Sequence, residues 1–292
     1  MNPHFVFSVA HWLQKTLDTV LSLGKVLVLS KPITKKSLVS EHQCLVLGNG
    51  PSLAFTCREE KQALSSMPLI AVNLFSCTSE FVVFKPSFYV LLDAAFADEK
   101  HINGKKGIDG LIENTKWPLQ LLVPQTFKKS AYFINRIQQN TFIHVVFFNY
   151  TIFEGFNSIK WFFFDKGYAM PQCQNVLQAA VFQAIHLGFT TVWLTGADHT
   201  WHEDILLDDE NKLKIQDQHF YESKKDITSY FIQENQKTSY LSRAFLSLHK
   251  VFRGYEIIAE YADYKKVKIV NASRRSYIDV FEKRKLSNGI ER

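Results

Sequence analysis

The chain has few cysteines, and Cys44, Cys57, Cys77 and Cys173 are too scattered to form a framework. None belongs to a C-x-x-C pair or adjoins a histidine run, which argues against the common zinc sites and leaves buried thiols in a reducing compartment as the expectation. Long hydrophobic runs are missing as well. No apolar stretch approaches the ~20 residues a bilayer-spanning helix needs. No charged n-region with an apolar core and cleavage site marks a secretory signal, so a cytoplasmic location is expected. Charge of one sign is not in large excess: Lys and Arg number 34 against 28 Asp and Glu, a formal +6. That balance suits phosphate, an acidic glycan or an anionic membrane surface. With no RNP-like, zinc-finger or helix-turn-helix pattern beside it, it makes no case for nucleic acid. What the chain does have is apolar mass, since 292 residues at 46% hydrophobic content can bury a sizeable core as one large domain or as a domain with a lid.

Val9, Leu13, Leu17, Val20, Leu21 and Leu27 fall at mostly helical spacing between Phe5 and Leu29. Residues 1–40 therefore read as an amphipathic helical segment, expected either to pack on the domain or to lie on the inner face of a membrane. Phe5, Phe7 and Trp12 with Lys15, Lys25, Lys31, Lys35 and Lys36 would suit the membrane. The segment precedes the first core strand, so its removal is expected to spare the site. Apolar runs at 44–47, 69–72, 88–92, 119–123, 144–148, 191–194 and 266–270 read as strands. Helical patterns follow at 176–187, closed by Gly188, at 239–252 and at 276–281. This alternation predicts an α/β fold with a mostly parallel, Rossmann-like sheet flanked by helices over 41–281. The polar stretch 201–236 is expected to be a lid, and 282–292 a flexible tail.

Several strands stop on a glycine or a polar side chain, at Gly48, Asn73, Asp93 and Gly196-Ala197-Asp198, where open α/β sheets keep their ligands. The loop Gly48-Asn49-Gly50-Pro51-Ser52 lets the backbone approach a ligand closely, and amides at the following helix start can hold a phosphate or a polar base. It is not a Walker loop, because no Gly-Lys-Ser/Thr follows, and Leu53 stands in place of the third glycine of a dinucleotide fingerprint. A plain strand-to-helix turn remains the alternative reading. Asp198, His199, His202, Glu203 and Asp204 have poor spacing for a metal site, and Asp208-Asp209-Glu210 lies in a turn-rich segment, so no metal is expected.

The stretch Leu45 to Leu53, reading LVLGNGPSL, resembles the nucleotide loop of bacterial sialyltransferases of the Campylobacter type and of the related MptE-like proteins. Ala71-Val72-Asn73 with Phe75, Leu91-Leu92-Asp93, Leu187-Gly188-Phe189, Leu194 to Asp198 and Asn271-Ala272-Ser273 follow in the same order, over roughly residues 44–281. The resemblance implies a GT-A-like variant of the Rossmann fold, a CMP-sugar donor, no metal and no other cofactor. Asn49 and Ser52 would touch the ribose and phosphate, Asn73 the phosphate region, and Gly48, Gly50, Gly196 and Asp198 would border the nucleotide. Asp93 stands where the family has asparagine. The family's Thr-Ser-Gly is replaced by Gln172-Cys173-Gln174-Asn175, leaving Asn175 as a donor contact or simply a helix N-cap.

The family keeps its general base, a histidine, in the lid, which makes His219 the implied catalytic residue, in competition with His199 and His202. His199 and Tyr221 are candidates for phosphate or acceptor contacts. The implied activity is transfer of a sialic-acid-like or Kdo-like sugar to a glycan acceptor in surface polysaccharide or lipooligosaccharide synthesis, with peripheral membrane contact and homo-oligomer formation as further expectations. Two alternatives stand beside it. One is an MptE-like ATP-dependent pterin diphosphokinase with magnesium held by Asp93 and Asp198, and the other a non-catalytic nucleotide-binding protein.

Overall fold

The computed structural model describes residues 3–33, 39–217, 219–221, 226–228 and 240–288. Strands β1 (Gln43–Leu47), β2 (Leu69–Val72), β3 (Phe88–Val90), β4 (Leu119–Pro124), β5 (Ile143–Phe148) and β6 (Thr191–Thr195) belong to one sheet. Its middle strands are buried on both faces, which explains their nearly unbroken apolar runs. In β1, Cys44 and Val46 enter one core while Leu45 and Leu47 enter the other, the period-2 consequence of the pleat.

The helices fill the connections. They are α1 (Pro3–Leu29), α2 (Leu53–Glu59), α3 (Lys61–Ser66), α4 (Ser79–Phe84), α5 (Ile102–Asn114), α6 (Ala131–Ile137), α7 (Asn157–Asp165) and α8 (Val176–Leu187). Helix α8 is buried nearly all round. It starts in a capping box, where the Asn175 side chain accepts from the Gln178 amide and Gln178 answers, and it stops at Gly188, whose φ of 101° an L side chain resists.

After β6 the chain leaves the sheet and forms a small antiparallel sheet of β7 (Ile205–Leu207), β8 (Leu213–Asp217) and β9 (Asp226–Thr228). This lies within the expected lid, of which residues 218, 222–225 and 229–236 are outside the described residues. The acidic turn between β7 and β8 is a solvated hairpin end, with Asp208 accepting the Lys212 amide and pairing with Lys214 at 2.8 Å. Helix α9 (Leu241–Lys265) then packs on α8 and runs well beyond the expected end at 252. Gly254 does not break it. A Cβ there would meet Gln178 Nε2 at 2.1 Å, so the glycine lets the two helices close together.

Strands β10 (Lys268–Asn271) and β11 (Glu282–Lys283) complete a sheet of order β11-β10-β6-β1-β2-β3-β4-β5, parallel throughout. The fold is thus Rossmann-like α/β, as expected. Two local expectations fail at the C-terminal end. Residues 276–281 form no helix but an irregular segment held by Ser276 and Tyr277, because hydrogen bonds to Ala197 O and Asp198 O offer that backbone another outcome. The supposed flexible tail supplies edge strand β11 and buries Leu286 at 2% exposure.

Helix α1 also departs from its sequence pattern. Its buried side is Thr19, Ser22 and Val26, and the Thr19 and Ser22 hydroxyls accept the amides of Phe156 and Glu154. The stripe Val9, Leu13, Leu17, Val20, Leu21 and Leu27 faces outward, so the face expected to pack is the exposed one. No described helix is long and apolar enough to cross a membrane.

Candidate functional site

From β1 the chain steps outward through β2 to β5 and then returns to lay β6 on the other side of β1. The strand order reverses between these two strands, and a crevice opens outside their carboxyl ends. Both glycine loops meet there. Gly48 N donates to Thr195 O at 2.8 Å and Gly50 N to Gly196 O at 2.9 Å. A Cβ on Gly48 would meet Gly196 O at 2.4 Å, and one on Gly50 would meet Asp198 Oδ2 at 2.1 Å. The glycines at 48, 50 and 196 are therefore required first by each other.

The loop's amides are consequently not an open phosphate cradle. Ser52 N donates to Asp198 Oδ2 at 3.0 Å, placing a carboxylate of the protein itself where an incoming anion was expected. Burial pushes the Asp198 carboxyl above its ordinary pKa, with the Ser52 amide pulling the other way. The loop carrying Asp198 is braced by the C-terminal segment: Ala197 N donates to Ser273 Oγ at 3.0 Å, and Tyr277 N to Asp198 O at 3.1 Å. Asn271 orients Ser273 by accepting its amide, so Asn271-Ala272-Ser273 supports the site from behind.

What the crevice leaves open is a set of side-chain acceptors. Asn49 Oδ1, Ser52 Oγ and Asn73 Oδ1 are buried and have no hydrogen-bond partner among the described residues. Buried polar atoms are rarely left so, and three at one strand-end cluster mark a place for a ligand. Asn49 is oriented by its Nδ2, which donates to Val72 O at 3.1 Å. Asn73 sits at φ 52°, a left-handed position asparagine tolerates, and its carbonyl accepts the buried Tyr89 hydroxyl at 2.6 Å. The two amide oxygens call for N–H or O–H donors, as a ribose or an amino-bearing base presents, while the Ser52 hydroxyl can donate as well as accept.

Gly48, Asn49, Gly50, Asn73, Asn175, Gly196, Asp198, His199 and His219 line one pocket of about 120 Å³. Ligand pockets ordinarily measure about 300–1,000 Å³. Phe220 is tied to the glycine loop beside it, its amide donating to Asn49 O at 3.1 Å and its ring lying 5.9 Å from that of Phe75.

Three candidates fall elsewhere. Ser52 reaches the site through its amide and unpaired hydroxyl without lining the pocket. Asp93 is exposed and caps a short 3-10 turn by accepting from Ala95 N, outside the pocket that holds Asp198. Tyr221 stacks on His219 at 5.2 Å but lines a neighbouring cavity. Asn175 lines the pocket while serving as an N-cap, and its Nδ2 is 3.4 Å from His199 Nε2.

The histidines separate clearly. His199 is buried, held at φ 55°, with Nε2 2.8 Å from the Tyr255 hydroxyl. Burial drives its pKa down to about 3, so it stays neutral and is a weak proton acceptor at neutral pH. His202 stands edge-on against Tyr277 outside the pocket. His219 is half-exposed and lines it. No group of three or more His, Cys, Asp or Glu among the described residues is arranged to hold a metal ion. The residue sequence reasoning missed is Trp201, half-exposed in the pocket with its ring 4.5 Å from His199. An aromatic three residues beyond a strand-end aspartate was the available signal.

No protein-family model matches the sequence, and no curated protein matches it. Among solved structures it is similar to the MAf glycosyltransferase from Magnetospirillum magneticum AMB-1, with a TM-score of 0.50 and 11% identity, over 90% of this chain. The chain spans 36% of that protein's length. At such identity the likeness is one of fold, and it places the chain with a Rossmann-like α/β architecture.

Proposed function

We propose that the protein is a glycosyltransferase that binds the nucleoside part of a CMP-activated acidic sugar at the ends of β1, β2 and β6 and uses His219 as general base. The observation that carries the reading is the trio of unpartnered buried acceptors, Asn49 Oδ1, Ser52 Oγ and Asn73 Oδ1, at the reversal of strand order. A cytidine offers hydroxyl and amino donors to match them, and Trp201 offers a ring face. The fold shared with a glycosyltransferase supports the same class, as does the motif order along the chain.

In the proposed reaction His219 takes the proton of an acceptor hydroxyl as its oxygen attacks the anomeric carbon. The bond from that carbon to the phosphate oxygen breaks, and its electron pair leaves with CMP. His219 lines the pocket with an imidazole, the side chain most often used for such proton transfer, whereas His199 is held neutral by burial. The diphosphokinase reading finds less support, since Asp93 lies outside the pocket of Asp198.

Melting curves with CMP, UMP, GMP and ATP, each with and without EDTA, test the donor. CMP is expected to raise the midpoint most, regardless of chelator, because a ligand bound only by the folded state stabilises it. Equal shifts from all four, or a response only to ATP with magnesium, would overturn the reading. His219→Ala should then lower transfer by roughly 10²–10⁴-fold with donor affinity little changed.

A further inference from the structure

A cavity of about 620 Å³ lies away from the strand-end pocket. It is lined by residues of α2, α3, α4 and the start of α5, together with Phe220 and Tyr221. Residues 219, 220 and 221 are consecutive, yet His219 lines the strand-end pocket while Phe220 and Tyr221 line this cavity. Adjacent residues of one segment thus line the site proposed for the donor and a space of the size ligands occupy.

The charge of the cavity is as one-sided as its position is suggestive. Arg58, Lys61 and Lys106 border it from α2, α3 and α5, against one carboxylate, Glu80, which accepts from the neighbouring Ser79 hydroxyl. None of the three cations makes an ion pair among the described residues, although surface cations elsewhere, such as Lys105, Arg253 and Lys268, do. Aromatic and aliphatic walls with hydroxyl groups between them are the usual surface for a sugar ring, and an excess of two positive charges adds a demand for an anion.

We infer that this cavity is the acceptor site and that it selects an anionic glycan, a saccharide bearing phosphate or carboxylate. The inference rests on the transferase reading, in which His219 must face donor and acceptor together. The hydroxyl to be glycosylated approaches His219 past Phe220, and the anionic group is held by Arg58, Lys61 and Lys106.

Calorimetric titration of the full chain with galactose, galactose 6-phosphate and galacturonate tests it. Alkylation of Cys77 by iodoacetamide reports location, because Cys77 is the one half-buried thiol among four and lines the cavity. One or both acidic sugars should bind and slow alkylation with saturation, roughly tenfold at ten times the half-protecting concentration, and the arm that does so names the anion. Galactose should do neither. The triple variant Arg58→Gln, Lys61→Gln, Lys106→Gln should lose the binding at an unchanged melting temperature, since all three residues are exposed. Equal binding of galactose, binding that survives in the triple variant, or binding of no sugar would each overturn the inference. Should Cys77 resist alkylation even without sugar, the calorimetry of the triple variant decides alone. CMP binding and CMP-sugar hydrolysis by the wild-type protein are measured alongside. Hydrolysis without anion binding sinks the acceptor site only, and anion binding without any CMP response sinks the transferase reading instead.

Discussion

His199 shows how burial can decide between residues that look alike in a sequence. It follows Asp198 directly and competes with His219 as a base on spacing alone, yet the fold surrounds it with Tyr255, Asn175 and Trp201. Its folded pKa of about 3 lies below the ordinary 6.5, so the unfolded chain binds the extra proton between those values. The stability contributed by neutral His199 is complete above about pH 6.5 and is lost as pH falls toward 3, at up to about 1.4 kcal/mol per pH unit. The midpoint of urea unfolding should therefore drop between pH 6.5 and 5, and His199→Gln should flatten that drop. The difference between the two proteins isolates His199 from Asp198, whose raised pKa acts with the opposite sign. Parallel pH profiles would show that the ring is not the titrating group.

Among the elements, α1 carries the largest consequence. A helix that precedes the first strand looks separable, but the Thr19 and Ser22 hydroxyls accept the amides of Phe156 and Glu154, and Ser30 and Lys31 bond to Thr151 and Asn149. Deleting residues 1–30 leaves those amides without partners, at about 1–3 kcal/mol for each that stays buried. The melting temperature should fall by several degrees, and an unchanged midpoint would show that the contacts are dispensable. The outward stripe of the same helix is the surface proposed for peripheral membrane contact. Leu17 and Val20 are more than half exposed, so Leu17→Glu with Val20→Glu should leave stability intact and abolish flotation with anionic vesicles. Flotation that persists would remove α1 from the proposal.

At the scale of the whole molecule, the site exists only because β1 and β6, about 150 residues apart in sequence, are neighbours whose glycine loops touch. Gly48→Ala places a methyl group 2.4 Å from Gly196 O, and neither partner is a side chain that can swing away. The substitution should cost about 1–3 kcal/mol and weaken nucleotide binding together with stability. A variant as stable as wild type would mean that the two loops can part without harm.

The sequence by itself determined the alternation of strands and helices, because a strand buried on both faces must be apolar throughout and a helix must end on a residue such as Gly188. It also placed the candidate residues at strand ends, since a polar residue closing an apolar run is visible without coordinates. Only the tertiary structure decided which of them meet. It gathered Asn49, Asn73, Asp198 and His219, left Asp93 as the cap of a surface turn, and sealed His199 against Tyr255. It also turned the apolar stripe of α1 outward, made a strand of the supposed tail and gave the Gly48 amide to a neighbouring strand. The physical reason is the same in each case. Periodicity and strand-end chemistry are local, whereas burial, hydrogen-bond satisfaction and the close approach of two backbones depend on segments far apart in the chain.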